Sequence, residues 1–176
     1  MTRPMIQPKL LAAAAAISLA LASAPPALAQ APSSDAPAFL TKANVANTFE
    51  IQSSQLAEQK SKNPAILRFA REMIKDHSKA AHQMDQAEKR AHMPASQPSL
   101  DPPHEDMLHQ LQAANGQQFD SLYVQMQKQG HEQAVGLFTT YAQSGDNPAI
   151  VGFAKKALPV LRRHLQHIDQ IAGQHG

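Results

Sequence analysis

Four polar residues stand on helical stripes that are otherwise apolar: Glu50, His77, His131 and His164. His77 has Met73 and Ala81 one turn away on either side and Ala70 and Met84 two turns away. His131 shares its row with Val124, Val135 and Phe138, and His164 with Val160, Leu161, Ile168 and Ile171. Each imidazole is therefore expected on the face its helix turns toward the core. Glu50 lies in a row of small residues, Ala43, Ala46 and Ala57, which would leave space beside it. A buried carboxylate and buried imidazoles need partners, because an unpaired polar group costs several kcal/mol in an apolar interior. Two solutions exist. One is a transition-metal ion, since imidazole nitrogens with one carboxylate suit zinc, iron or copper. The other is a metal-free polar layer in which these groups hydrogen-bond to one another, to backbone or to water.

The spacing of the four supports a common level. Two tight turns are signalled by Asn63-Pro64 and Asn147-Pro148, because Asn is a favoured N-cap and Pro a favoured first helical residue. Glu50 lies 13 residues before Asn63 and His77 lies 14 after it; His131 lies 16 before Asn147 and His164 lies 17 after it. Each pair is level within its own hairpin, about 20 Å and about 25 Å from the respective turn at 1.5 Å per residue. Convergence of the two pairs depends on how the hairpins are offset.

The elements that must hold them are helical. Beyond the N-terminal segment the chain is rich in Ala, Gln, Leu and Lys and follows the helical period. Long helices are expected over about 36–61, 64–91, 117–143 and 148–172, with Asp35 a plausible first cap. A short one is expected over about 101–114, with Glu105 and Asp106 at the positive end of its dipole. Pro159 falls inside the last helix, where it should free the Lys155 carbonyl and kink the rod. The run Asn63–Ala70 (NPAILRFA) matches Asn147–Ala154 (NPAIVGFA) at six of eight positions, so the chain reads as two hairpins of similar plan. The joint between them, residues 92–116, is far longer than an ordinary helix–helix turn of about 2–8 residues. It is long enough to cross the length of a bundle, which gives the connection order of ferritin-like folds. The expected fold is thus all-α: a ferritin-like four-helix bundle over residues 38–172, with a long crossover containing a short extra helix.

The first 29 residues read as a secretory signal peptide. Arg3 and Lys9 precede the apolar run Leu10–Ala22, Pro25-Pro26 end it, and Ala27-Leu28-Ala29 supplies a cleavage site after Ala29. The run is too short to span a bilayer as a mature helix, which needs about 20 apolar residues. Residues 30–37 (QAPSSDAP) read as a flexible leader. The expected location is the periplasm or the exterior, with no stable membrane insertion after cleavage. Sixteen basic residues, less Arg3 and Lys9, leave fourteen against fourteen acidic ones, so the mature chain is neutral with His uncharged. No basic patch argues for nucleic acid. With no cysteine, thiolate metal sites, disulfides and Cys nucleophiles are excluded. A second copy of the chain or an envelope protein is the kind of partner that remains.

Further features match a family. Glu50 with Leu56-Ala57, the run Phe69-Ala70, Met73-Ile74 and Asp76-His77, then Phe119-Asp120 and Tyr123, His131 with Leu137-Phe138, Phe153-Ala154, Leu158-Pro159 and His164 are found together. In this set the chain resembles the exported bacterial proteins grouped as domain of unknown function 4142, over about Phe39 to Ile171. The resemblance implies a ferritin-like fold and an extracytoplasmic compartment, not a reaction. True di-iron bundles of this shape carry Glu-x-x-His on two helices. Here Ile74 and Leu161 stand three residues before His77 and His164, so a di-iron role is not expected. A single ion held by Glu50, His77, His131 and His164 fits better; Asp120 and Tyr123, on roughly the same face of their helix as His131, read either as its outer supports or as caps on the packing between the short helix and the long helix that follows it. Asp76 is expected in solvent or paired with Lys75 or Lys79. No nucleophile elbow or phosphate loop is visible and no catalytic residue is assigned, which favours a non-enzymatic protein. The alternative is a structural or interaction protein of the envelope or of stress responses, whose polar layer only sets helix register.

Overall fold

The structure, a computed structural model, describes residues 35–173, which lie within one unit spanning Ala31–Gly176. The signal-peptide reading and most of the leader fall outside the described residues. Five helices follow one another: α1 (Ala36–Lys60), α2 (Pro64–Arg90), α3 (Pro102–Ala113), α4 (Gly116–Ser144) and α5 (Pro148–Gly173). No strand occurs among the described residues.

The helix starts are set by the capping chemistry of the sequence. Asp35 accepts from the Ala38 N–H at 3.0 Å, and Asp101 from the His104 N–H at 3.1 Å. Asn63 Oδ1 accepts from the N–H groups of Ala65 and Ile66 at 2.9 and 3.5 Å. Asn147 repeats this with Ala149 and Ile150 at 3.0 and 3.3 Å. In each of these helices a proline stands at the first or second helical position, and the cap satisfies N–H groups that the first turn leaves free. Pro159 does not interrupt α5: it sits on the exposed side of a continuous helix.

The four long helices form a ring in which α1 packs on α2, α2 on α5, α5 on α4 and α4 on α1. The direction of α4 is decided by the crossover. Its first part is tied to α2 by Ser96, whose N–H donates to Glu88 at 3.1 Å, and to α1 by the Asn44 amide donating to the Gln97 carbonyl. α3 then descends beside α1, with the rings of Phe49 and His104 5.3 Å apart and Lys60 Nζ donating to the Leu111 carbonyl at 3.3 Å. The chain is thereby returned to the Ser61–Asn63 end before α4 begins. All four neighbouring pairs are antiparallel, and the two hairpin turns lie at opposite ends of the bundle. Because 25–29 residues span about 38–44 Å, 20 Å from one end and 25 Å from the other is nearly the same height.

Two apolar clusters fill the interior. One is built around Phe69, Phe119, Tyr123 and Ile168, the other around Phe39, Phe138, Tyr141 and Phe153. On α2 the first cluster ends at Met73 and the second begins at Met84; on α5 the corresponding residues are Ile168 and Leu161. His77 and His164 fall in the gaps. The core is therefore two oily layers with a polar layer between them.

Truncating Phe69, which is fully buried, should cost about 3–5 kcal/mol. Asn147→Ala should cost about 1 kcal/mol through the lost cap. Urea unfolding followed by far-UV circular dichroism measures both.

Candidate metal centre

The polar layer brings together three of the four sequence-expected residues at one point. One ring nitrogen from each of His77, His131 and His164 lies within 4.8 Å of one from each of the others. The ring centroids are 5.8 Å apart for His77–His131, 5.5 Å for His77–His164 and 5.3 Å for His131–His164. The three residues are 6%, 1% and 1% exposed. They come from α2, α4 and α5.

Each ring is held by its other nitrogen. His77 Nδ1–H donates to Asn47 Oδ1 on α1 at 3.0 Å. His131 Nδ1–H donates to the Gln127 carbonyl, one turn earlier, at 2.8 Å. His164 Nε2–H donates to Asp76 Oδ2 across the α2–α5 seam at 3.1 Å. An imidazole that donates from one nitrogen while neutral carries a lone pair on the other. Those other atoms, His77 Nε2, His131 Nε2 and His164 Nδ1, are buried with no hydrogen-bond partner. Leaving three such acceptors unpaired in the core costs about 1–3 kcal/mol each. Three nitrogens sharing one ion at about 2.0–2.1 Å would stand about 3.4 Å apart, so small ring rotations bring this set to bonding distance.

Glu50 takes a different place. It is 4% exposed, and its Oε1 lies 3.7 Å from His131 Nδ1, the nitrogen already given to Gln127. It thus flanks the His131 ring and is not among the converging groups. Its Oε2 is buried without a partner. A small cavity of about 40 Å³ is lined by Glu50, His77, Met84 and His131. That is room for water beside the histidines.

Tyr123 and Asp120 lie lower on α4. The Tyr123 hydroxyl is 2.9 Å from Ser54 Oγ, and its ring stacks on Phe119 at 6.0 Å. Asp120 has one buried oxygen without a partner. Tyr123 thus pairs with α1 rather than with a histidine of the centre, while Gln127, one turn above Tyr123, donates to Ser53 at 3.1 Å and supplies the carbonyl under His131.

Asp76 corrects its sequence reading. Instead of facing solvent or a nearby lysine, it pairs across the bundle with Arg163 at 2.9 Å as well as with His164. Glu72 similarly pairs with His167 at 2.9 Å. The signal was present: Asp76 is about 100° around α2 from the core-facing His77, which is the direction of the neighbouring helix. Which neighbour stands there is a tertiary fact. Asn47 and Gln127, whose roles sequence reasoning missed, carry only their helical spacing from Glu50 and His131 as a signal.

The electrostatics keep His77 and His164 neutral. Burial pushes His77 well below the ordinary histidine range, and any charge on His131 or His164 would push it further. Burial brings His164 down to about 4, against the opposing pull of Asp76. Burial raises Glu50, with His131 and the Gln127 side chain pulling the other way. In the unfolded chain histidine titrates near 6.5. The unfolded state therefore takes up protons first as the pH falls, and the metal-free protein should lose stability from pH 6.5 down toward about 4. Glu50 acts in the reverse sense, costing stability as the pH rises above 4.5. Urea unfolding of chelator-treated protein across this range should show the acid-side slope reduced in His77→Gln and His164→Gln, and the opposite slope reduced in Glu50→Gln.

The bundle is similar to two solved structures of CopM. One is in the Ag-bound form by co-crystallization (TM-score 0.65) and one in the Cu(II)-bound form (TM-score 0.66). Each is 16% identical, and the matches cover 80% of this chain and 96% and 97% of the other. At that identity the shared property is the fold. No curated protein sequence matches the chain. The sequence model of the family described as domain of unknown function (DUF4142) matches residues 21–171, and the chain belongs to that family.

Proposed function

We propose that this chain is an exported helical-bundle protein that holds one transition-metal ion in its core through His77 Nε2, His131 Nε2 and His164 Nδ1. The observation that carries the reading is the set of three buried nitrogens without partners, each on a ring whose other nitrogen is fixed by an oxygen. Metal-binding histidines are normally oriented in this way, and the outer hydrogen bond makes the ligating nitrogen more basic. A polar layer serving helix register alone would have no reason to aim three acceptors at one another.

The ligand types suit zinc, iron or copper. Copper is favoured by two supports. CopM, with the same fold, is described in Cu(II)- and Ag-bound forms. In this chain the thioether of Met84 stands in the wall of the cavity beside His77 and His131, which suits a soft ion. Three histidines leave a coordination position open, and the adjoining cavity gives a water molecule room to take it. Binding, rather than hydrolysis, is the activity proposed.

The signal-peptide pattern supports a periplasmic location, and no described helix is long and apolar enough to cross a membrane. N-terminal sequencing of protein recovered from the periplasm of an expressing bacterium should begin at Gln30. A cytoplasmic product starting at Met1 would remove the export reading.

Metal analysis of the purified mature protein tests the centre. About one equivalent of metal should be retained, and saturation to 100 times Kd should add about 2.7 kcal/mol of stability. Chelator should lower the melting temperature, and His77→Ala and His164→Ala should abolish both effects. Protein that stays metal-free after incubation with zinc, iron and copper, with an unchanged melt, would eliminate the proposal.

A further inference from the structure

Two depressions lead from the surface toward the three histidines, and their charges differ in sign. The first lies between α2 and α5, has a volume of about 380 Å³ and reaches His77 and His164. Its rim carries Lys79, Lys156 and Arg163 against one carboxylate, Asp76. That carboxylate is already engaged by Arg163 at 2.9 Å and by His164 at 3.1 Å. A cation approaching here meets net positive charge, and the two neighbouring carboxylates, Glu72 and Asp76, are already paired with Arg163, His164 and His167.

The second lies between α1, α3 and α4, has a volume of about 560 Å³ and is walled in part by Phe49, Met107 and Leu137. Its charged groups are Lys42 against Asp101 and Glu50, with His104 beside Asp101. Four of its residues, Ala46, Glu50, Gly130 and Ala134, also line the 40 Å³ cavity that borders His77 and His131. The partition between groove and cavity is thus two alanines, a glycine and one carboxylate. Gly130 is part of the design: a Cβ there would stand 3.1 Å from Glu50 Oε1, tighter than the carboxylate could keep without shifting. Glu50 Oε2 has no partner, although the residue is 4% exposed.

We infer that the groove between α1 and α4 is the path by which a transition-metal cation reaches the three-histidine centre, and that Glu50 is the carboxylate that receives it on the way. The inference rests on the proposed centre and assigns Glu50 a different part in it. Moving a hydrated cation into a dry interior removes water ligands and leaves charge uncompensated, which is very costly. Three neutral imidazoles return the ligands but not the charge. A carboxylate at the partition supplies both at the step where water is stripped. From there the cavity shared by Glu50, His77 and His131 leads to the centre.

Stopped-flow mixing of chelator-treated mature protein with Cu(II) chloride tests this, with the visible absorbance of the loaded site as readout. Three variants separate the possibilities. Glu50→Gln keeps the shape and removes the charge, Ala134→Leu thickens the partition, and Val160→Phe fills the depression between α2 and α5. Glu50→Gln and Ala134→Leu should reach the wild-type final absorbance about tenfold more slowly, as expected when a focusing charge or an opening is lost. Val160→Phe should load at the wild-type rate. Unchanged rates in both groove variants, or slowing confined to Val160→Phe, would overturn the path. A lower final absorbance in Glu50→Gln, at an unchanged rate, would make Glu50 a resident ligand and overturn its passing role. Wild-type protein that takes up none of copper, zinc and iron would remove the centre itself. Circular dichroism confirms folding, and Ala46→Leu replaces Ala134→Leu should the latter not fold.

Discussion

Desolvation of three imidazoles governs this bundle. A histidine at a helix surface loses little by folding, because water keeps both ring nitrogens satisfied. At 1–6% exposure that supply is gone, and each nitrogen must find a partner or remain a cost. Three of the six are satisfied by an amide oxygen, a backbone carbonyl and a carboxylate drawn from different parts of the fold. The other three have no partner, and the three rings stand close enough for one nitrogen of each to lie within 4.8 Å of one of each of the others. A shared ion converts that cost into bonding, and the apolar layers above and below give it a dry, rigid site.

The same constraint explains the organisation around the layer. Phe69 presents its ring to His131 at 6.2 Å from one side, while small residues and a cavity lie on the other. The His131 ring is therefore packed against Phe69 below, and the rings of His77 and His131 border the cavity above. Hydrogen bonds between helices occur at this level and just beneath it: Asn47 to His77, Asp76 to His164, Gln127 to Ser53 and Ser54 with Tyr123. Each ties two rods at a stated height, so helix register and ring orientation are fixed by the same contacts. A one-residue slip of α2 would rotate His77 by about 100° and break both.

The ferritin-like connection order matters for a geometric reason. Had the second hairpin followed a short loop, both turns would lie at the same end and α4 would start beside the end of α2; the crossover instead starts α4 at the Ser61–Asn63 end, antiparallel to α1. The crossover and α3 occupy the length of α1 in order to restart α4 at the far end. That same strand of chain forms one bank of the groove leading to Glu50, so the topology that aligns the histidines also shapes the proposed way in.

Helix positions were legible in the sequence because capping is local. Asn-Pro and Asp-Pro pairs determine where a helix starts through atoms within three residues, and the helix limits agree with the sequence reading to within one or two residues. The inward direction of the three histidines was legible for a similar reason, since a 3.6-residue period needs no knowledge of the partner helix. What only the tertiary structure decided is which nitrogen of each ring is taken and by whom. Glu50 and His131 share a level, yet the carboxylate meets the side of the ring that Gln127 already holds. Asp76, adjacent to a core histidine, serves a histidine 88 residues away. Spacing along a helix sets height and azimuth, whereas ligation depends on side-chain rotamers and on the offset between rods, and those follow from packing across the bundle.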